Sequence, residues 1–242
     1  MRYGIFSDVH SNLEALDAVL KAYSQEKIDQ YLCVGDVVGY AADPKACIDK
    51  VKAVAMLTVA GNHDWASIDL FSADYFNPVA KKAILWTKHN LDQGDRDFLK
   101  TLKLTFVNQD LTLVHATLDN PEYFYYMMDN LRAALTFGLL KTNLCFVGHS
   151  HIAGVFAQKE DGSIDYLEDP HIAIKDKNKY IINAGSVGQP RDGDPRAAYC
   201  IYDSDKKEAW IKRASYDVAA SAKKVIDAGL PKLLAERLSV GR

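Results

Sequence analysis

The sequence has few cysteines, and no two of them stand at the short spacing that is typical of zinc or redox motifs. Cys33, Cys145 and Cys200 lie inside apolar runs, where a free thiol behaves as a small hydrophobic side chain. The pattern therefore predicts buried thiols rather than disulfide bonds or cysteine-ligated metals. It is also typical of a reducing compartment, so we expect a cytoplasmic location.

A basic excess and a long apolar segment are both missing. The 242 residues contain 29 Lys and Arg against 32 Asp and Glu, which gives a formal net charge of -3. This balance lacks the electrostatic footprint of stable nucleic-acid binding. No apolar run approaches the roughly 20 residues of a membrane span. The charge balance therefore argues against nucleic acid as a partner, and the lack of an apolar run argues against a membrane. A small anionic substrate stays compatible, because bound cations would reverse the sign of an acidic cleft.

The remaining composition is that of a soluble globular protein, with 48% hydrophobic and 25% charged residues. Since the sequence shows no internal repeat and no linker, this length predicts a single domain over residues 1–242. The last part of that domain is predicted to be helical, at about residues 215–240, with a break at Gly229-Leu230-Pro231. A homo-oligomer is compatible with the sequence.

Short apolar runs that each end in a polar cluster form the main pattern of the chain. Continuous runs of this kind are typical of strands buried on both faces. Leu13, Leu16, Leu20 and Tyr23 have helical spacing between two of the runs, which indicates alternating strands and helices and hence parallel pairing. The runs occupy residues 3–6, 31–34, 55–60, 111–114, 144–147 and 180–182.

Further strands with tight turns are predicted in the second half of the chain, at residues 153–159, 196–203 and 208–212. The polar stretch at residues 160–179 is predicted to be a surface loop. Together these elements predict an α/β fold in which two mixed β-sheets pack as a sandwich flanked by helices.

Metal-competent side chains follow most of the predicted strands. Because strand ends of an open α/β sheet border a crevice, these side chains are expected to meet. Carboxylates with imidazoles suit divalent manganese, iron, cobalt or zinc, and two neighbouring carboxylates would repel each other without a cation. A single histidine is usually a surface or core residue, but five of the seven stand in these clusters. The candidates are Asp8, His10, Asp36, Asn62, His63, His115, His149 and His151.

These clusters resemble, in order, the five signature blocks of the calcineurin-like metallophosphoesterase superfamily. The blocks are Asp8-Val9-His10, Gly35-Asp36, Gly61-Asn62-His63-Asp64, His115 and Gly148-His149-Ser150-His151. Residues 183–191 further resemble its small prokaryotic branch, which includes YfcE-type and diadenosine tetraphosphatase-like proteins. The resemblance implies the sandwich fold and hydrolysis of a phosphoester.

The resemblance also implies a role for each residue. Two divalent ions would be bound, with manganese preferred over iron, zinc, cobalt or nickel, and a hydroxide between them would be the nucleophile. The first ion would be held by Asp8, His10, Asp36 and His151, and the second by Asp36, Asn62, His115 and His149. The implied catalytic residues are Asp36, Asn62 and His63, with His63 as the proton donor to the leaving group. Asn62 and Arg191 would bind the substrate.

The sequence does not decide between several substrates. A small phosphodiester or nucleotide is expected, with diadenosine tetraphosphate preferred on resemblance alone. The alternatives are a cyclic-nucleotide phosphodiesterase, a nuclease, or a metal-bound protein-interaction scaffold. The Asp-Arg pair that protein Ser/Thr phosphatases carry after the second block is missing from Gly35-Asp36-Val37-Val38-Gly39-Tyr40, which argues against a protein phosphatase.

Several side chains have two interpretations. Asp64 is either the residue that orients His63 or a helix-start residue. Arg191 is either a phosphate ligand or part of a solvated turn, and Arg132 is expected on a helix surface. The run Tyr123–Tyr126 is expected to bury its rings in a helix, with base stacking as the alternative. Core packing is the expectation for the aromatic residues Trp65, Phe71, Tyr75 and Phe76, with a pocket wall or a dimer patch as the alternatives.

Overall fold

Two six-stranded mixed sheets pack against each other in the computed structural model, which describes all 242 residues. Side chains from both sheets fill the space between them, such as Ile5 and Leu32 from one and Leu113 and Phe146 from the other. Helices flank the sheets, which confirms the predicted α/β sandwich. None of the helices has both the length and the apolar character required to span a membrane.

The first sheet has the strand order β3-β2-β1-β11-β12-β9. Strands β1, β2 and β3 run parallel, and β11, β12 and β9 continue the sheet with antiparallel pairing. The strands are β1 (Arg2–Phe6), β2 (Gln30–Cys33), β3 (Ala55–Thr58), β9 (His171–Ala173), β11 (Ala197–Asp203) and β12 (Glu208–Ala214).

The second sheet has the strand order β4-β5-β6-β10-β7-β8. Its centre is parallel, since β6 pairs with β5 on one side and with β10 on the other. Its edges are antiparallel. The strands are β4 (Thr105–Val107), β5 (Thr112–Val114), β6 (Leu144–Val147), β7 (Gly154–Gln158), β8 (Ile164–Leu167) and β10 (Lys179–Asn183).

The prediction of a surface loop at residues 160–179 was wrong, because this segment contains β8 and β9. Both strands lie at an outer edge of a sheet, where one side of the strand has no neighbour. Ile164, Asp165, Tyr166 and Leu167 are therefore half-buried or exposed, and polar side chains are tolerated there. A polar composition alone does not separate such an edge strand from a loop.

The helices begin at residues that the sequence marks well. Asn12 and Asn77 accept hydrogen bonds from the first turns of the helices they precede, and Pro44 and Pro78 stand at the first helical positions. The helices are α1 (Leu13–Tyr23), α2 (Pro44–Val54), α3 (Asn62–Ala66), α4 (Pro78–Asn90), α5 (Gln93–Thr101), α6 (Asn130–Leu139), α7 (Val218–Asp227) and α8 (Lys232–Leu238).

The intersheet core is expected to carry much of the stability, and Leu113 at its centre is fully buried. We predict that Leu113→Ala lowers the free energy of unfolding by about 2–5 kcal/mol, because it removes buried methyl groups and leaves a cavity. Leu131→Ala is the matched control, since Leu131 is 75% exposed; its loss should stay within about 0.5 kcal/mol. Equal losses in denaturant unfolding of the two variants would contradict this view of the core.

Candidate metal centre

The loops that follow five strands bring the predicted ligands together in one crevice. Asp8 and His10 follow β1, Asp36 follows β2, Asn62 and His63 open α3 after β3, His115 follows β5, and His149 and His151 follow β6. All eight side chains are buried, with between 0 and 7% of each residue exposed. Polar groups buried at this density need partners inside the protein.

The backbone at the ligands is strained. Asp8, His10, Asp36, His149 and His151 all have a positive φ, between 50° and 65°. This left-handed conformation is uncommon for residues other than glycine, and it costs free energy that the surrounding fold must supply. Five such residues in one crevice indicate that the loops are shaped for ligand placement rather than for local stability.

Two glycines let neighbouring backbone approach the carboxylates closely. A Cβ atom at Gly61 would lie 2.0 Å from Oδ1 of Asp36, and one at Gly148 would lie 2.3 Å from Oδ2 of Asp8. Any side chain at these two positions would displace the carboxylate beside it.

Asp8, His10 and His151 form the first group of metal-competent atoms. Nε2 of His151 lies 3.2 Å from Oδ1 of Asp8, and Nε2 of His10 lies 3.6 Å from the same oxygen. The two Nε2 atoms are only 3.0 Å apart. Three donor atoms thus converge on one point from two different loops.

Asp36, His115 and His149 form a second group. Nε2 of His115 lies 3.3 Å from Oδ2 of Asp36, and Nε2 of His10 lies 3.5 Å from that same oxygen. The carboxylate of Asp36 therefore lies between the two groups, where it could serve both.

Backbone carbonyls select the tautomer of three imidazoles. Nδ1 of His10 lies 3.1 Å from the carbonyl of Val38, Nδ1 of His115 lies 2.7 Å from that of Val34, and Nδ1 of His151 lies 2.6 Å from that of Gln189. A carbonyl only accepts, so each Nδ1 carries the proton and each neutral ring presents a bare Nε2. This is how metal-ligating histidines are usually oriented.

Unpartnered buried atoms complete the fit to a divalent ion. Oδ1 of Asn62, Nε2 of His115 and Nε2 of His149 are buried without any hydrogen-bond partner. The facing Nε2 atoms of His10 and His151 would likewise direct two lone pairs at each other when both rings are neutral. A cation in the crevice satisfies these atoms together, so the donor set fits a metal centre.

The protonation states agree with this fit. Burial opposes ionisation of Asp8 and Asp36, but nearby imidazoles, above all His151 for Asp8 and His115 for Asp36, lower the pKa of each carboxyl below its ordinary value. Burial and His115 lower the pKa of His149 to about 3, and burial and Arg191 lower the pKa of His151 to about 4. Ionised carboxylates and neutral imidazoles are the forms that bind metals.

The pKa of His115 is shifted in the opposite direction from those of His149 and His151. Burial opposes its protonation, but Asp36 and Asp8 raise the pKa of its imidazole to about 10. A proton on His115 then compensates part of the carboxylate charge, and a divalent cation would take over that task.

His63 lies at the edge of the cluster. Its ring packs 4.5 Å from that of Tyr40, 4.7 Å from that of His10 and 4.9 Å from that of Phe76, measured between centroids. Its Nδ1 is buried without a partner, and burial lowers the pKa of the imidazole well below its ordinary value. The ring also groups with His10 and Asp36 as a possible metal ligand, so geometry alone leaves two roles for His63.

Asp64 does not orient His63. Its two carboxylate oxygens accept hydrogen bonds from the backbone N–H groups of Gly61, at 3.0 Å, and of Val38, at 3.1 Å. The alternative of a helix-start residue is the correct one for Asp64. Burial and Asp36 raise the pKa of its carboxyl to about 7.

Arg191 lies beside the centre rather than in a solvated turn. Its guanidinium donates to the hydroxyl of Tyr40 at 3.1 Å and to Oε1 of Gln189 at 3.0 Å, and its Nε is buried without a partner. The turn carboxylates pair with other arginines, Asp192 with Arg213 and Asp194 with Arg196.

The sequence predicted where Arg132 lies, but it did not predict that Tyr40 belongs to the site. Arg132 pairs with Asp119 at 2.7 Å, as a residue on a helix surface can. Tyr40 was missed as a site residue, although its place four residues after Asp36 could have signalled it. Its ring lies 4.5 Å from those of both His10 and His63.

An aromatic cleft opens onto Asn62, His63 and His149, with a volume of about 300 Å³. The expectation that Tyr123–Tyr126 bury their rings in a helix was wrong, since only Phe124 of this run is buried. The expected core packing was also wrong for Tyr75, which is 79% exposed. Phe76 does pack against a buried hydrophobic cluster, but it also lines the cleft together with Phe71 and Tyr75. Its other lining residues are Tyr40, Asn77, Ala80, Tyr123, Phe124 and Tyr126.

Comparison with known proteins identifies the family. The model of the calcineurin-like phosphoesterase superfamily domain matches residues 1–207. The chain belongs to this superfamily, which confirms the resemblance of its five sequence blocks. Membership implies phosphoester hydrolase activity, and the family and the His/Asp groups together indicate divalent metal binding.

Similar proteins match over nearly the whole chain. An uncharacterized protein from Methanocaldococcus jannaschii is 39% identical over 98% of this chain and 97% of its own length. The crystal structure of a metallophosphoesterase from Sphaerobacter thermophilus is also 39% identical, covers 100% of this chain and 99% of its own, and has a TM-score of 0.86. A hypothetical protein from Pyrococcus horikoshii shares the fold, with a TM-score of 0.79 at 16% identity over 100% of this chain and 98% of its own.

The close approach at Gly61 provides a test of the metal centre. We predict that Gly61→Ala weakens Mn²⁺ binding at least about tenfold, because the new Cβ would displace the carboxylate of Asp36. Calorimetric titration of chelator-treated protein measures this, with circular dichroism to confirm folding.

Gly138→Ala is the matched control for that titration. A Cβ at Gly138 on α6 meets no atom within 4 Å, so this variant should bind Mn²⁺ like the wild type and gain about 0.5–1 kcal/mol of stability. Unchanged binding in Gly61→Ala would refute the placement of the ion beside Asp36.

Proposed function

We propose that the protein is a dinuclear metal-dependent phosphodiesterase that hydrolyses a small phosphodiester or nucleotide. The observation that carries this proposal is the carboxylate of Asp36, which belongs to one group of buried donor atoms and lies 3.5 Å from Nε2 of His10 in the other. Buried atoms without hydrogen-bond partners lie in the same crevice, namely Oδ1 of Asn62 and Nε2 of His115 and His149. Asp8, His10, Asp36 and His151 would hold one ion, and Asp36, Asn62, His115 and His149 would hold the other. Manganese is the preferred ion, with iron, zinc, cobalt or nickel as alternatives.

When bound, two such ions activate a water molecule as the nucleophile and neutralise the charge of the phosphoryl oxygens. The side chains of the protein would bind and position the phosphoryl group. Asn62 would position the phosphoryl group, and Arg191 would contact it from the side of Tyr40. The unpaired Nε of Arg191 supports this role, because a guanidinium with free donors can bind an anion.

We assign the proton donor role to His63. Its ring opens into the cleft together with Asn62, where a leaving group attached to the phosphoryl group would lie. A histidine placed there can transfer a proton to the departing oxygen, an effect worth about 10²–10⁴-fold in rate. The packing of His63 between Tyr40 and Phe76 holds the ring in place without an acidic partner.

The rival hypothesis is a metal-bound scaffold for protein interactions. It needs the ligands but has no use for a proton donor, a phosphate-binding arginine or an open cleft. His63 lines the cleft, and Arg191 is hydrogen-bonded to Tyr40, which lines it too; this arrangement favours the enzyme. The free, buried state of all four cysteines supports a cytoplasmic location.

His63→Ala separates the two roles that geometry leaves open for this residue. We predict that kcat falls by at least about 100-fold, because the leaving oxygen loses its proton donor. Metal content by plasma mass spectrometry and the melting temperature should stay close to those of the wild type. A loss of bound metal would make His63 a ligand instead, and a near-normal kcat would refute the mechanism.

Removal of the metal tests the proposed function itself. We predict that chelation abolishes hydrolysis and that Mn²⁺ restores it, with about two ions bound per chain. The assay compares a phosphomonoester, a cyclic nucleotide, a dinucleoside polyphosphate and a phosphopeptide, and a small diester or nucleotide should be the best substrate. Diadenosine tetraphosphate belongs in this series as the substrate that the resemblance favours. Robust activity of metal-free protein would contradict the proposal, and so would preference for the phosphopeptide.

A further inference from the structure

We propose that the aromatic cleft is a nucleobase subsite, so that the substrate is a nucleoside phosphate ester whose base stacks on Tyr75 and Tyr123. This inference rests on the proposed function, because it assigns the group that is attached to the reacting phosphoryl group. It goes further by selecting a substrate class and by naming residues outside the metal centre that determine it.

The position of the cleft supports this assignment. Asn62, His63 and His149 form its inner end, so a phosphoryl group at the metal centre would direct its substituent into the cleft. One wall comes from Phe71, Tyr75 and Phe76, and the opposite wall from Tyr123, Phe124 and Tyr126. A cleft of about 300 Å³ between two aromatic walls fits a planar ring system.

The tyrosines of the two walls are unusually exposed. Tyr75 is 79% exposed and Tyr123 is 57% exposed, although each carries a large apolar ring. The ring of Tyr75 stacks on that of Phe71, with centroids 5.3 Å apart, and Phe71 contacts Phe124 of the opposite wall edge-on at 5.2 Å. The ring of Tyr123 has a similar neighbour in Tyr125, with centroids 5.7 Å apart. Both tyrosines are thus held by another ring, while more than half of each residue stays exposed. Exposed aromatic faces of this kind bind bases by stacking.

The chemistry of the lining favours an uncharged group. No Asp, Glu, Lys or Arg lines the cleft, so it offers no cation to a second phosphate. The side-chain oxygen of Asn77 accepts hydrogen bonds from the N–H groups of Val79 and Ala80, both at 3.0 Å. Its amide NH₂ is then left to donate to an acceptor on the edge of a base. A base offers that acceptor, and a simple phenyl ring does not.

The experiment compares ligands that differ only in the base. Adenosine 5′-monophosphate and ribose 5-phosphate carry the same phosphate, so the ratio of their dissociation constants isolates the base. We expect calorimetry to show that the Mn²⁺-loaded wild-type protein binds adenosine 5′-monophosphate at least about tenfold more tightly than ribose 5-phosphate. This difference is in line with the free energy of stacking on aromatic side chains. Chromatography confirms that the nucleotide is intact. Phenyl phosphate is the third ligand, and it tests for a general aryl pocket.

Single substitutions show which side chains produce the ratio of the dissociation constants. Tyr75→Ala and Tyr123→Ala should each reduce the ratio at least about threefold, and Tyr75→Phe should keep it, because stacking needs the ring and not the hydroxyl. Tyr166→Ala is the control, because it also removes a half-exposed tyrosine ring. Tyr166 is 45% exposed, is not part of the cleft lining, and packs against Phe156 with ring centroids 5.0 Å apart.

The outcomes separate this inference from the proposed function. A ratio near one in the wild type would overturn the nucleobase subsite even if the protein hydrolyses diesters. Equal binding of phenyl phosphate and the nucleotide would overturn it too, in favour of a general aryl pocket. A tenfold ratio that depends on Tyr75 and Tyr123 would support the subsite even if no hydrolysis were detected, in which case the proposed function alone would fail.

Discussion

Asp8 and Asp36 are buried in one crevice, and the negative charge of their carboxylates has to be compensated inside the protein. No lysine or arginine forms an ion pair with either carboxylate; the nearby titratable groups that lower both pKa values are histidines. A proton on His115 meets part of the requirement, and a divalent ion meets it more fully. The donor groups, the strained loops and the close glycines all follow from this charge requirement.

The loop after β2 shows how one segment serves several parts of the site. It supplies Asp36, it orients His10 through the carbonyl of Val38, and it places Tyr40 against both His63 and Arg191. Tyr40 and Ala41 also pack on Leu234 and neighbouring residues of the C-terminal helices. These helices lie beyond residues 1–207, the part that matches the family domain. In this chain, a segment outside the matched region therefore supports the loop that carries Asp36.

The sequence predicted the sandwich and brought out the candidate ligands because both depend on local patterns. Buried strands leave continuous apolar runs, and ligands stand directly at their ends, as Asp8 and His115 do. The aromatic cleft left no such pattern. Asn120 and Phe124 have left-handed backbone conformations, with φ of 49° and 51°, and they flank a short 3₁₀ helix at Pro121–Tyr123. Composition cannot reveal that, and it likewise could not separate the edge strand β8 from a loop.

Charge divides the site into two regions with different tasks. The candidate metal centre gathers buried carboxylates and imidazoles, whereas the cleft beside it is lined by aromatic rings and uncharged amides. His149 belongs to both, since its ring stacks on that of Tyr126 with centroids 4.1 Å apart. A ligand of the centre is thereby packed against the wall of the cleft. Tyr126 therefore joins the two regions, because the ring that lines the cleft is the same ring that packs on His149.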